Sequence, residues 1–241
     1  MSDSFYERET VIHEVVEAKR SEICYNLIVD LIKGNIRRKG ALKILDVGCG
    51  DGGFVVRFKK FCEVWGLDIS RIAVKKALNA GVNAYVVDVS SQRLPFPDRF
   101  FDIVYMGDVI EHLVNPDFAV EEVARIIKTD GYMVLSTPNL ASWLNRLILL
   151  FGMQPLFSEV STLRQFGRFK GRTAFSVGHL RLFTYRALKE FLEYYGFKVL
   201  KFVGAPCMGL PKMLSWIDQT FSKIPSLSSI VVVVCVRKDR L

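Results

Sequence analysis

Ile44-Leu45-Asp46-Val47-Gly48-Cys49-Gly50-Asp51-Gly52-Gly53-Phe54 sets an apolar run directly against a cluster of glycines. A strand buried on both faces of a parallel sheet reads as such a run, and glycines after it permit positive φ and let a ligand approach the backbone. The stretch predicts a first strand that turns into a helix through a ligand-facing loop. Asp46, Gly48, Cys49, Gly50 and Gly52 are its candidate binding residues. Gly48, Gly50 and Gly53 also fit the dinucleotide pattern G-x-G-x-x-G, so the loop alone leaves a nicotinamide cofactor, and a purely structural turn, open.

Outward from this loop, KILDV, VWGLD, NAYVVD, FDIVYM and GYMVLSTP are short β-rich runs that alternate with helical or loop patterns. That alternation predicts a parallel sheet built from βαβ units. Asn115 and Pro116 mark a helix start before Phe118, Val123, Ile126 and Ile127, with Gly131 as its stop. Thr184 opens another helix, with Leu188, Phe191, Leu192 and Tyr195 as its buried stripe and Gly196 at its end. FKVLKFV then reads as a sixth strand and SIVVVVCV as a seventh, with Leu214, Ile217 and Phe221 at helical spacing between them for core packing. An amphipathic helix over Phe5 to Lys33 is expected to lie across the sheet or a pocket.

Asp68 closes the second strand about 20 residues beyond Gly48, where a carboxylate can accept hydrogen bonds from both hydroxyls of a ribose. Asp88 closes the third strand at the same sheet edge, in position to meet an adenine. Either aspartate alone could merely cap a turn. Asp46, two residues before the first glycine, is out of place for hydride transfer and suits a pocket that holds a cation. The four elements together describe a site for a positively charged adenosine compound.

With 241 residues, half of them hydrophobic, the chain can bury one sizeable core and is read as a single domain, residues 1–241. The longest apolar stretches, Leu147 to Phe151 and Ile230 to Val236, are far below the roughly 20 residues of a membrane span. The first residues carry acids and lack an apolar core, so no secretory leader is expected and a cytoplasmic protein is. Five cysteines without a C-x-x-C pair exclude a disulfide framework and a thiolate zinc site. The net charge of +8 is unevenly spread: residues 1–140 hold 18 basic and 20 acidic side chains, residues 141–241 hold 15 and 5. From 160 to 189 there is no acid, and Arg164, Arg168, Arg172 and Arg181 are candidate contacts for an anionic acceptor; a solvated basic face is the alternative.

The ordered series DVGCGDG, GLDIS, VVDVS, LPFPDRFFDIVYMGDVIEHL and NPDFAVEEVARIIKTDGYMVLSTPN resembles the class I methyltransferases that depend on S-adenosyl-L-methionine (SAM), in the ubiquinone-type, small-molecule branch. The resemblance covers residues 40–140 well and the remainder loosely. It implies a Rossmann-like α/β fold: a seven-stranded sheet with strand seven antiparallel and helices on both faces. It also implies SAM held by Gly48, Gly50, Asp68, Ile69, Asp88, Val89 and the Met106 region, with Ile69 packed on adenine. The long connection at residues 139–183, between strands five and six, is read as a helical substrate cap.

For the reaction, His112 in Asp108-Val109-Ile110-Glu111-His112 is the first candidate for base or orienter, and His179 the second. His13 is assigned to the surface. Asp108, Glu111 and His112 are similar to the E-x-x-E-H arrangement of ubiquinone-type O-methyltransferases, which can hold a divalent ion. The first acid here is shorter, and no metal is expected. The favoured function is methyl transfer to a small or medium anionic acceptor, by preference to oxygen, on a sugar, glycan or lipid precursor. A noncatalytic adenosyl-binding protein and an NAD-dependent oxidoreductase are the competing readings. Nucleic acid is disfavoured, because Met106-Gly107-Asp108 is unlike the N-P-P-Y loop that stacks a flipped base. The apolar run at Trp143 to Phe151 beside basic residues leaves peripheral membrane contact open.

Overall fold

The computed structural model describes residues 18–35, 41–167, 178–207, 210 and 212–238. Seven strands form one sheet: β1 (Leu42–Val47), β2 (Cys62–Asp68), β3 (Asn83–Val86), β4 (Phe101–Gly107), β5 (Ile127–Pro138), β6 (Phe197–Ala205) and β7 (Ile230–Arg237). Their order is β3-β2-β1-β4-β5-β7-β6. β1 to β5 are mutually parallel, and β7 runs antiparallel to both neighbours, as expected.

The helices explain why so many strand residues are apolar. α3 (Pro116–Ile126) and α5 (Tyr185–Tyr194) bury Val120, Val123, Leu188 and Leu192 in one core, which takes Leu45 and Val47 from β1 and Val231, Val233 and Cys235 from β7. α1 (Ala18–Asn35) and α2 (Arg71–Asn79) bury Cys24, Ile28, Val74 and Ala77 in a second core on the opposite face, with Ile44 from β1 and Val232 and Val234 from β7. Successive strand residues point to opposite faces, so a strand covered on both must be apolar throughout.

Three local expectations change. The glycine loop leads into a short 3-10 turn, Val55–Phe58, and not an α-helix. α3 stops at Ile126, short of Gly131, and Ile127 already begins β5; the register of β4 and β5 shifts between Phe101 and Ile103 to absorb the turn-like residues that follow. The expected N-terminal helix is observed from Ala18 onward, and its earlier part, with His13, lies outside the described residues. The caps hold as read: Asn115 Oδ1 accepts from Phe118 N at 3.1 Å, and Thr184 Oγ1 from Ala187 N at 3.2 Å.

Within the 139–183 connection, Ser142 caps α4 (Trp143–Leu150) through Asn145 N. α4 packs against α6 (Lys212–Phe221), with Trp143 stacked on Phe221 at 5.3 Å between centroids. α6 does not supply the core stripe expected of it: Leu214, Ile217 and Phe221 are half-buried and join neither core. Its Asp218 is fully buried and accepts from Trp143 Nε1 at 2.7 Å, Ser229 Oγ at 2.6 Å and Cys207 N at 2.5 Å. One carboxylate thus ties α4, the end of β6 and the start of β7 together.

Candidate functional site

The carboxyl ends of β1, β2 and β4 meet where the strand order reverses, between β1 and β4. Ligands of open α/β sheets bind at such an edge. The loop after β1 is fixed to β2: the amides of Gly48 and Cys49 donate to Leu67 O at 2.7 and 2.9 Å. Gly48 has φ +76°, and a Cβ there would run into Val109 Cγ2, so both backbone and space demand glycine. Gly50 differs. Its φ is +53°, yet a Cβ would meet nothing within 4 Å, so the loop borders open space at this point.

Asp68 joins the first two loops. Its Oδ2 accepts from Gly50 N at 2.8 Å and its Oδ1 from Ser70 N at 2.8 Å. An ionised carboxylate has about four acceptor sites, so each oxygen keeps capacity for a further hydroxyl donor. The next residue, Ile69, is 51% exposed, an apolar side chain presented to solvent beside that carboxylate. Asp46 is buried in β1, opposite Tyr105 of β4 and Gly66 of β2.

Asp88 is bound locally: Oδ1 accepts from Ser90 N at 2.9 Å and Oδ2 from Ser91 Oγ at 2.7 Å, which is the turn-capping arrangement. Val89 is buried beside it in the α3-side core. Cys49 is buried, and desolvation pushes its thiol far above the usual range, so it is an inert packing group. Met106 stands at the end of β4, the region expected to border the cofactor. It is fully buried in the α3-side core, which leaves Gly107 and Asp108 as the part of β4 nearest the edge.

Asp108 has φ +52° and faces α1. Arg20, itself buried, approaches Asp108 Oδ2 at 2.5 Å and donates to Ser136 Oγ at 3.1 Å, while Ser136 Oγ donates to Asp108 Oδ1 at 3.0 Å. Asp108, the first acid of the stretch similar to E-x-x-E-H, is thus engaged by Arg20 and Ser136. Nothing in the sequence pattern announced Arg20, because an arginine on an amphipathic helix ordinarily faces water.

One turn further, His112 and His179 come together, with ring centroids 4.7 Å apart. Two anchors hold them there. The amides of Leu180 and Arg181 donate to Glu111 O at 2.8 and 3.1 Å, and Arg181 Nη1 donates to Leu113 O at 2.7 Å. The returning end of the connection is thereby stitched to the turn after β4. Glu111 is fully buried, and its Oε2 accepts from Thr137 Oγ1 at 3.0 Å. Burial first, and then the charge of Asp108, push its carboxyl well above the usual carboxylate range.

Of the four candidate arginines, Arg164 is exposed and sits over the Phe166 ring at 5.0 Å. Arg181 is exposed but tied to Leu113. Arg168 and Arg172 lie outside the described residues.

A family model described as a methyltransferase domain matches residues 16–201. The ubiquinone/menaquinone biosynthesis C-methyltransferase of Cupriavidus metallidurans is 29% identical over 131 residues, covering 46% of this chain and 54% of that protein. A methyltransferase of uncharacterised activity from Schizosaccharomyces pombe is 32% identical over 148 residues, covering 56% and 51%. The chain thus spans about half the length of the curated relatives it matches. A SAM-dependent methyltransferase from Clostridium acetobutylicum superposes with a TM-score of 0.64 over 97% of both chains at 14% identity, a likeness of fold.

Proposed function

This chain belongs to the methyltransferase-domain family, and on that premise we propose that it moves a methyl group from SAM to a small or medium-sized anionic acceptor, with oxygen the favoured atom. When bound, SAM supplies an electrophilic methyl on a sulfonium centre, so the protein's task is to align a nucleophile for in-line displacement. Alignment alone can be worth about 7–11 kcal/mol of barrier.

One observation carries the reading: Asp68 reaches across to the Gly50 amide beside open space, with acceptor sites left on both oxygens. A ribose diol fits that carboxylate, exposed Ile69 offers an apolar face for the adenine, and buried Asp46 favours a cationic ligand. In this reading Gly48, Cys49, Gly50 and Gly52 form the loop wall, Asp88 and Val89 border the base, and β4 contributes at Gly107 where Met106 is buried. His112 and His179 orient the acceptor, and the 139–183 connection that carries His179 forms the cap. The excess of basic side chains over residues 141–241, Arg164 and Arg181 among them, supports an anionic acceptor.

Calorimetric titration with SAM and with NAD, followed by turnover of cell extract with isotopically labelled SAM, tests the proposal. SAM binding with label transferred to an extract component is expected. NAD binding without SAM binding would return the oxidoreductase reading, and SAM binding without transfer the noncatalytic one.

A peripheral membrane contact is favoured by the end of α4, where Leu150 and Phe151 are 77% and 71% exposed. No described helix is long and apolar enough to cross a membrane. Sedimentation with anionic vesicles at low and high salt tests the contact.

A further inference from the structure

α4 and α6 pack on each other through Trp143 and Phe221, yet each turns bulky apolar side chains to water. Leu150 and Phe151 stand exposed at the end of α4, and Met213 and Trp216, one turn apart on α6, are 74% and 71% exposed. We propose that the two helices together form a docking surface for an anionic lipid bilayer, with Trp216 and the end of α4 seated among the headgroups. The surface thus takes in α6 as well as the end of α4, and it selects lipid by charge.

The exposure is imposed by what lies on the other side of each helix. Asp218 is fully buried and accepts from Trp143 Nε1, Ser229 Oγ and Cys207 N, which fixes the inward face of α6. Side chains one turn apart share one side of a helix, so Met213 and Trp216 project together and α6 cannot roll to hide them without breaking the Asp218 contacts. α4 is fixed likewise, by its Ser142 cap and by buried Trp143.

Charge decides what covers this surface. Among the described side chains of residues 139–167 and 210–227, the exposed charged ones are Arg146, Arg164 and Lys223, all basic. The two acids are withdrawn: Asp218 is buried, and Glu159 is half-buried and accepts from Gly178 N at 2.9 Å. α5 differs, with Glu190 and Glu193 exposed beside Arg186, the mixed pattern of a helix that faces water. Apolar side chains among cations alone suit a surface of anionic lipid. A second copy of the chain would set the same cations against each other across a twofold interface, which opposes self-association. The helices have 8 and 10 residues, far too few to cross a bilayer, so they lie in its interface. Trp216 suits that depth, because an indole has an apolar body and one polar N–H.

Docking also orients the acceptor side. The connection that begins in α4 returns to the turn after β4, where the amides of Leu180 and Arg181 donate to Glu111 O. Leu180 and Val114, near this stitch, are exposed apolar side chains. The acceptor is then an amphiphile offered at the bilayer surface, its apolar part against this rim. That consequence rests on the methyl-transfer reading; the docking itself does not.

Trp216 supplies the readout, since Trp143 is buried and Trp65 half-buried. The full chain, with neither SAM nor acceptor present, is titrated with vesicles of phosphatidylglycerol and phosphatidylcholine in equal parts, and with phosphatidylcholine alone. The mixed vesicles should shift tryptophan emission to the blue, brominated lipid should quench it, and Trp216→Phe should remove the shift. Leu150→Glu with Phe151→Glu should weaken sedimentation with the mixed vesicles at least about tenfold. Arg164→Glu with Lys223→Glu, at exposed positions that the fold does not use, should do the same. No shift with the mixed vesicles, equal binding to phosphatidylcholine alone, or unchanged binding in both double variants overturns the proposal. A shift that follows protein concentration without lipid, together with a dimer in sedimentation, assigns the surface to a second copy and overturns it too. SAM binding without vesicle binding defeats the docking and leaves the methyl-transfer reading intact; vesicle binding without SAM binding does the reverse.

Discussion

Arg20 of α1 meets Asp108 at the end of β4 at 2.5 Å, with Ser136 of β5 bridging the two side chains. The contact locks a helix from one face of the sheet onto the edge where the binding loops gather. Replacing Arg20 by Met leaves the Asp108 charge partly buried and without its ion-pair partner. A fully buried pair broken in this way costs 3–5 kcal/mol; Asp108 retains some exposure, so about 2 kcal/mol is expected. Urea unfolding measures it, and equal midpoints for parent and R20M would remove the lock.

Asp68→Asn should weaken SAM binding as well as one of the two backbone contacts that hold the loops. The amide keeps one acceptor oxygen for a backbone N–H but loses the charge and the second oxygen. Losing one charge-assisted hydrogen bond, about 2 kcal/mol, corresponds to roughly 30-fold weaker SAM binding by calorimetry. Retained affinity would show that the sugar lies elsewhere.

Gly50→Ala adds one methyl where the structure has room but the backbone has φ +53°. The strain is about 1–2 kcal/mol, a small fall in melting temperature. SAM affinity should fall far more than stability, because the methyl projects into the space bordering the loop. A variant that lost stability and kept its affinity would refute this.

The loop from Asp88 to Phe100 is held by Arg125, which pairs with Glu122 at 2.7 Å and donates to the carbonyls of Leu94 and Phe96. The hydrogen bond from Arg125 keeps the Glu122 carboxyl below its usual range. A carboxyl lowered by folding adds stability that is complete above its unfolded value of about 4.3 and disappears as pH falls through the folded value. The stability gap between parent and E122Q should therefore be constant from neutral pH down to about 5, then narrow. A gap that widens in acid would reverse the assignment.

Much of the sheet was legible because two-sided burial writes itself as short apolar runs, and SIVVVVCV and KILDV admitted little else. The glycine loop was legible for a related reason, since Gly48 is imposed by backbone and by Val109 together. The contacts that assemble the site were not. His112 meets His179, Arg20 meets Asp108 and Asp218 receives Trp143 across long stretches of chain, and no local period records such a meeting. Nothing local marks Arg20 and Asp218 as buried, because a charged residue on a helix normally faces solvent. The turn at Val55–Phe58 escaped because glycines forecast a bend and not the type of helix after it.

β5 and β6 share no ladder; β5 is paired with β4, but β6 is joined to the sheet only by way of β7, which is made after both. During synthesis, β6 must therefore wait at the margin with its hydrogen-bonding edge unmated until the valine-rich segment slides in beside it. A nascent chain arrested just before Ile230 should be protease-sensitive at β6, while β1 to β5 already resist digestion.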